Sequence, residues 1–190
     1  MGLLDVVFGR RKVKGPAPDR LFAMSTAQVT LTEQMGLQPS GEAAVVFQPL
    51  ATADFQSIVK DMEEVVAGTA SDAGTKLDTR DDEFGYRWMV LGDEDFDDLV
   101  VGLNAVSSAL VAGGYGERVL CAVFAFTRDG RGRVYWIYNY KRGSFYPFVP
   151  APGQQQRNSE EELRLKAQIG ADLPTEPELE RWFPLWGAPL

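Results

Sequence analysis

Residues 132–150 read GRVYWIYNYKRGSFYPFVP, and seven of these nineteen residues are Tyr, Trp or Phe. Rings beside Lys141 and Arg142 suit two uses: stacking on a nucleic-acid base or a partner, or packing within a sheet. Strand alternation decides between them. Val134, Trp136, Tyr138 and Tyr140 fall on one face of a strand, and Tyr135, Ile137, Asn139 and Lys141 on the other. Both faces are rather apolar, so the strand is expected to be central, with its second face at least partly covered. The aromatic residues are structural first.

The neighbouring segments extend this sheet. Arg128-Asp129-Gly130-Arg131 is a hairpin signal that joins Arg133–Tyr140 to a strand over Val119–Phe126. Ser144–Val149 reads as a third strand. Upstream, Phe96, Leu99, Val100, Leu103, Val106 and Leu110 repeat at helical spacing, which predicts a helix over 94–112. Asp93 is placed as its cap and Gly113-Gly114 as its stop. Phe84–Leu91 reads as a strand, and the polar residues 69–83 as a loop or weak strand. A helix is expected over 53–67, capped by Thr52, with Phe55, Ile58, Val59, Met62 and Val66 as its apolar stripe and Gly68 as its end. Ala43–Phe47 reads as a buried strand after a turn at Gln38–Gly41, and a helix over 26–35 runs from Ser25 to Gly36. Downstream of the aromatic stretch, Ser159 and Glu162 form a capping box for a helix over 160–169. A short helix follows at Glu178–Phe183, and Phe183, Leu185 and Trp186 are expected to pin down the last residues.

These elements give an α+β fold: an antiparallel, strongly bent sheet of about five strands packed against helices. Residues 1–18 read as a flexible arm and 19–190 as a single α+β domain. In the arm, Leu3, Leu4 and Phe8 form an apolar tip, and Arg10, Arg11, Lys12 and Lys14 follow among Gly and Pro residues. A greasy tip with adjacent cations suits contact with an anionic membrane or a partner protein.

Composition narrows the chemistry. The chain has 190 residues, is 45% hydrophobic and 24% charged, and contains no histidine. Nucleophilic systems that need a histidine base, and histidine metal ligands, are thereby excluded. The one cysteine, Cys121, lies in the strand-like VLCAVFAF, which predicts a buried and inert thiol. No spanning helix or signal peptide is read, so the expected location is cytoplasmic, with peripheral membrane contact through the arm. The net charge of −8 is uneven: residues 54–98 hold fourteen acidic and four basic side chains, and residues 118–142 six basic and one acidic. Overall acidity argues against nucleic acid as a partner. Arg128, Arg131, Arg133, Lys141 and Arg142 are candidates for a positive sheet edge that meets a partner.

Motifs for catalysis are weak. Asp93, Asp95 and Asp97 match the first positions of a calcium loop, but the sixth position is Asp98 and the twelfth is Asn104, where Gly and Glu are needed. Asp78, Asp81, Asp82 and Glu83 offer paired carboxylates for acid–base work, with nothing to fix their separation. GGYGER fits no phosphate or dinucleotide loop, and no cofactor is expected. A carboxylate-based, metal-assisted enzyme is therefore the second reading. A homo-oligomer joined through an exposed aromatic surface is the third.

A resemblance favours the first reading, a binding protein. MGLLDVVFGR at the start, DRLFAMSTAQVTL at 19–31, PSGEAAVVF at 39–47 and ERWFPLWGAPL at the end resemble the PspAB family of PspA-associated proteins from actinobacteria and haloarchaea. The likeness covers essentially the whole chain. It implies association with the phage-shock protein A system, which responds to stress at the cytoplasmic membrane. It implies PspA or another protein of that system as partner, and it supplies no catalytic residue. The order of helices and strands also loosely resembles type III secretion chaperones, which implies binding rather than turnover.

Overall fold

The computed structural model describes residues 18–128, 132–153 and 155–190. The residues read as an arm, including Leu3, Leu4, Phe8, Arg10, Arg11, Lys12 and Lys14, lie outside the described residues, as does Arg131. The described chain starts with a 3-10 turn over Pro18–Phe22 and continues into α1 (Ala23–Glu33). Then come β1 (Gln38–Phe47), α2 (Ala53–Ala73), β2 (Lys76–Asp81), β3 (Arg87–Gly92) and α3 (Phe96–Ala112). The remaining elements are β4 (Val119–Thr127), β5 (Arg133–Asn139), β6 (Ser144–Phe148) and α4 (Ser159–Ile169).

The strands form one antiparallel sheet in the order β2-β3-β1-β4-β5-β6. The α+β class holds, with two corrections. The sheet has six strands where about five are expected, and it is open, with β2 and β6 as edges, rather than curled on itself. The additional strand, KLDTRD, is mostly exposed and carries charge at four of its six positions, so no apolar alternation announces it. Charged side chains suit an edge strand because they discourage further pairing.

β5 has the two-sided burial expected of it. Val134, Trp136 and Tyr138 join the side chains of all four helices in the main core, while Tyr135 and Ile137 join a second cluster on the opposite face. The seven rings of residues 132–150 are all buried, Tyr135 being the most exposed at 5%. Residues 132–150 therefore present no exposed aromatic surface of the kind that motivates a homo-oligomer. Each such side chain removed from water stabilises the fold by about 1.5–3 kcal/mol, opposed by the entropy of ordering it. β1 is also central: Ala43, Val45 and Phe47 point into the main core and Ala44 and Val46 into the second cluster.

Several element ends differ from expectation for local reasons. Residues 38–41 belong to β1 rather than to a turn. Gly41, at φ +77°, takes up a register shift between Pro39 and Ala43. α1 begins at Ala23 with Ser25 inside it, and no side chain caps it. α2 runs through Gly68 and stops at Gly74, whose φ of +88° lets the chain turn away. The cap of α3 is Asp95, which accepts from the Asp97 amide, and Asp93 lies before it. At α4 the cap is Asn158, not Ser159. Glu162 turns inward instead of completing a capping box: it accepts from the Val149 amide at 2.9 Å and pairs with Arg157 at 2.8 Å. The expected helix at 178–183 is a 3-10 turn over Leu179–Arg181.

Candidate functional site

The helices cover only one face of the sheet. The second face is built from Trp88 and Val90 of β3, Ala44 and Val46 of β1, Cys121 and Val123 of β4, Ile137 of β5 and Tyr146 and Phe148 of β6. Its cover is a strap, residues 182–190. Trp182 is anchored most firmly: its ring stacks on Tyr146 with centroids 6.2 Å apart, and its Nε1–H donates to the Glu176 carbonyl at 3.1 Å. Farther along, the Tyr146 hydroxyl donates to the Phe183 carbonyl and the Tyr135 hydroxyl to the Leu190 carbonyl. Trp186 meets Phe148 edge-on at 5.0 Å. Leu185 and Trp186 thus pin the segment as expected. Phe183 does not: it is 60% exposed.

Where strap and sheet separate, a cleft of about 490 Å³ opens. Val46, Trp88, Cys121 and Tyr146 form its buried floor, and Phe84, Tyr86, Phe183 and Trp186 its sides. Asp82, Asn139 and Lys141 supply its polar groups. It crosses the end of the sheet at which the β2–β3 and β5–β6 turns both lie, with β1 and β4 between them. Phe84, also 60% exposed, stands on the first of these turns. The turn is locked by Asp82, which accepts from the Phe84 and Tyr86 amides and from Trp88 Nε1–H, each at 2.9 Å. One carboxylate thus closes the turn and orients the Trp88 ring in the cleft floor.

The electrostatics of the cleft suit holding rather than reacting. Burial pushes the Cys121 thiol up to about 12, which leaves almost no thiolate at neutral pH. Burial also raises the Tyr146 phenol well above its ordinary value. Neither group has the lowered pKa that activates a nucleophile. A large, mostly apolar cavity with few polar groups at its mouth is the usual form of a site for an apolar ligand or side chains.

The acidic clusters serve the fold. Arg87 grips Asp81 at 2.7 and 2.8 Å and holds its carboxyl below the ordinary carboxylate value. Asp78 pairs with Arg80 at 2.7 Å. The Thr75 hydroxyl donates to Asp93, whose other oxygen accepts from the Asp95 amide at 2.8 Å, and these bonds lower the Asp93 pKa. Among the described residues, no group of three or more Cys, Asp or Glu is arranged to hold a metal ion.

Among the described residues, the candidate basic residues are not gathered into one edge. Lys141 and Arg142 are exposed together on the β5–β6 turn, with Lys141 at the mouth of the cleft. Arg133 lies at the opposite end of β5 and pairs with Glu42 at 3.2 Å. Arg128 pairs with Glu161 and donates to the Met35 carbonyl at 3.2 Å. β5 itself is an inner strand. The cleft was not anticipated from the sequence, because its floor and sides come from segments more than a hundred residues apart. The available signal was two ring-rich stretches far apart in sequence, FGYRW at 84–88 and RWFPLW at 181–186.

Among the described residues, no helix is long and apolar enough to cross a membrane. Comparison with curated proteins and with solved structures gives no match. A family model described as PspAB, PspA associated protein B, matches residues 1–190, and the chain belongs to that family.

Proposed function

We propose that this protein is a non-enzymatic adaptor of the PspA membrane-stress system, and that the cleft beneath the strap holds an apolar segment of PspA or of another protein of that system. The observation that carries this reading is the pair of exposed rings, Phe84 and Phe183, over an apolar floor that contains no activated nucleophile. Family membership supports the partner class. On this reading the protein works in the cytoplasm at the membrane surface. The cations Arg10, Arg11, Lys12 and Lys14 touch anionic lipid, while Lys141 and Arg142 meet acidic groups flanking the bound segment. Arg133, at the other end of the sheet, pairs with Glu42 and stands apart from this contact.

The test is binding of purified PspA to the full chain and to a Phe84→Ser/Phe183→Ser variant. Both rings are largely exposed, so the variant keeps its fold. Loss of two anchoring aromatics is expected to weaken binding by about tenfold or more. Equal affinity for the two proteins, or no binding to either, would refute the reading.

A further inference from the structure

The first described residues pack on the helix-covered face of the sheet, at the same end at which the cleft opens on the opposite face. Arg20 donates to the Gly143 carbonyl at 3.4 Å, on the same β5–β6 turn that places Lys141 at the cleft mouth. Residues 1–17 therefore join the described fold near one end of this groove. Residues 3–8, LLDVVF, carry five apolar side chains, and nine residues separate Phe8 from Pro18. At about 3.3 Å per residue, that linker reaches roughly 30 Å. The cleft spans β5, β4, β1 and β3, roughly 14 Å at the usual strand spacing. Residues 3–8 can therefore pass around the turn and reach every part of it.

Charge favours the same placement. Lys141 at the mouth suits Asp5 within the apolar segment. Asp82 and Glu83 on the β2–β3 turn rim the far side and suit the cations just after Phe8, Arg10 and Arg11. From these observations we infer that Leu3–Phe8 is the resident occupant of the cleft, docked within its own chain, and that a partner segment must displace it. The inference rests on the cleft being a binding site, as proposed above, and is independent of the partner's identity.

Tethering gives the docked segment a millimolar effective concentration, so even a trans affinity near 0.1 mM leaves the cleft about tenfold more often filled than empty. The probe is a fluorescein-labelled peptide of residues 1–15, titrated into the full chain and into a Leu3→Ser/Leu4→Ser/Phe8→Ser variant. The variant is expected to bind it about tenfold more tightly, because its cleft is vacant. Adding Phe183→Ser to the variant should abolish that binding. Trp88 and Trp186 line the cleft, so tryptophan emission of the triple variant should also shift to the red and be quenched more readily by acrylamide.

Equal peptide affinity for the two proteins, or binding to neither, would overturn the inference. So would a difference that grows with protein concentration, which would mean docking onto a second copy. These outcomes need no PspA. A vacated cleft that binds the peptide but not PspA would refute the adaptor reading alone.

Discussion

Glu161 and Glu162 are adjacent on α4 and experience opposite fields. Glu161 is held by Arg164 at 2.7 Å and by Arg128, and these guanidinium groups pull its carboxyl below the ordinary value of 4.5. Glu162 is 2% exposed, and burial raises its carboxyl against the pull of Arg157 and the Val149 amide. The consequences for stability have opposite signs. The Glu161 contribution is present above pH 4.5 and is lost as pH falls through the lower folded value. The Glu162 shift favours folding below pH 4.5, and that contribution is lost as pH rises through its higher folded value. Glu161→Gln should therefore lower the melting temperature at pH 7, and the difference from the parent protein should close towards pH 3. Thermal melts across that range measure this. A gap that stays constant with pH would show that the charge of Glu161 does not contribute.

Among the elements, β1 depends on a single backbone position, Gly41. Gly41 combines a φ of +77° with close approach to its neighbour: an added Cβ would stand 3.1 Å from the Asp93 carbonyl oxygen. The Asp93 amide in turn donates to the Gly41 carbonyl at 2.9 Å. Gly41→Ala should cost about 1–3 kcal/mol, or a fall in melting temperature of roughly 2–4 °C per kcal/mol for a chain of this size. Differential scanning calorimetry would check it, and an unchanged transition would mean that the bulge is freely remade. The same strand shows what the sequence discloses. AAVVF is apolar and β-branched enough to declare itself, whereas QPSG looks like a turn because its pairing depends on a bulge and on strands far along the chain. α3 and the β4–β5 hairpin were legible because their apolar periods are long and their end signals local. β2 was not, since an edge strand hydrated on its outer side needs no apolar alternation. The cleft was hidden for a further reason: its residues meet only after the strap folds across the sheet, and no short window contains them.

At the scale of the molecule, the distribution of charge matters more than its sum. The net charge of −8 repels an anionic surface, yet residues 1–20 hold five basic and two acidic side chains. Each cation near an anionic leaflet contributes about 1 kcal/mol at most, and the attraction fades within a Debye length of about 10 Å at 0.1 M salt. Four adjacent cations are therefore enough for reversible adhesion at low salt, provided the acidic bulk of the protein stays farther away than that length. The full chain is expected to float with vesicles containing phosphatidylserine at low ionic strength, to be released as salt rises, and to ignore pure phosphatidylcholine. An Arg10→Gln/Arg11→Gln/Lys12→Gln/Lys14→Gln variant should lose at least about tenfold in vesicle affinity while keeping the melting temperature of the parent. If the cleft also releases Leu3–Phe8 when a partner arrives, the freed apolar side chains add a salt-resistant component. Flotation of the partner-bound protein should then survive a salt concentration that strips the free protein from the same vesicles. Identical salt profiles for the two would mean that displacement from the cleft and adhesion to lipid are unconnected.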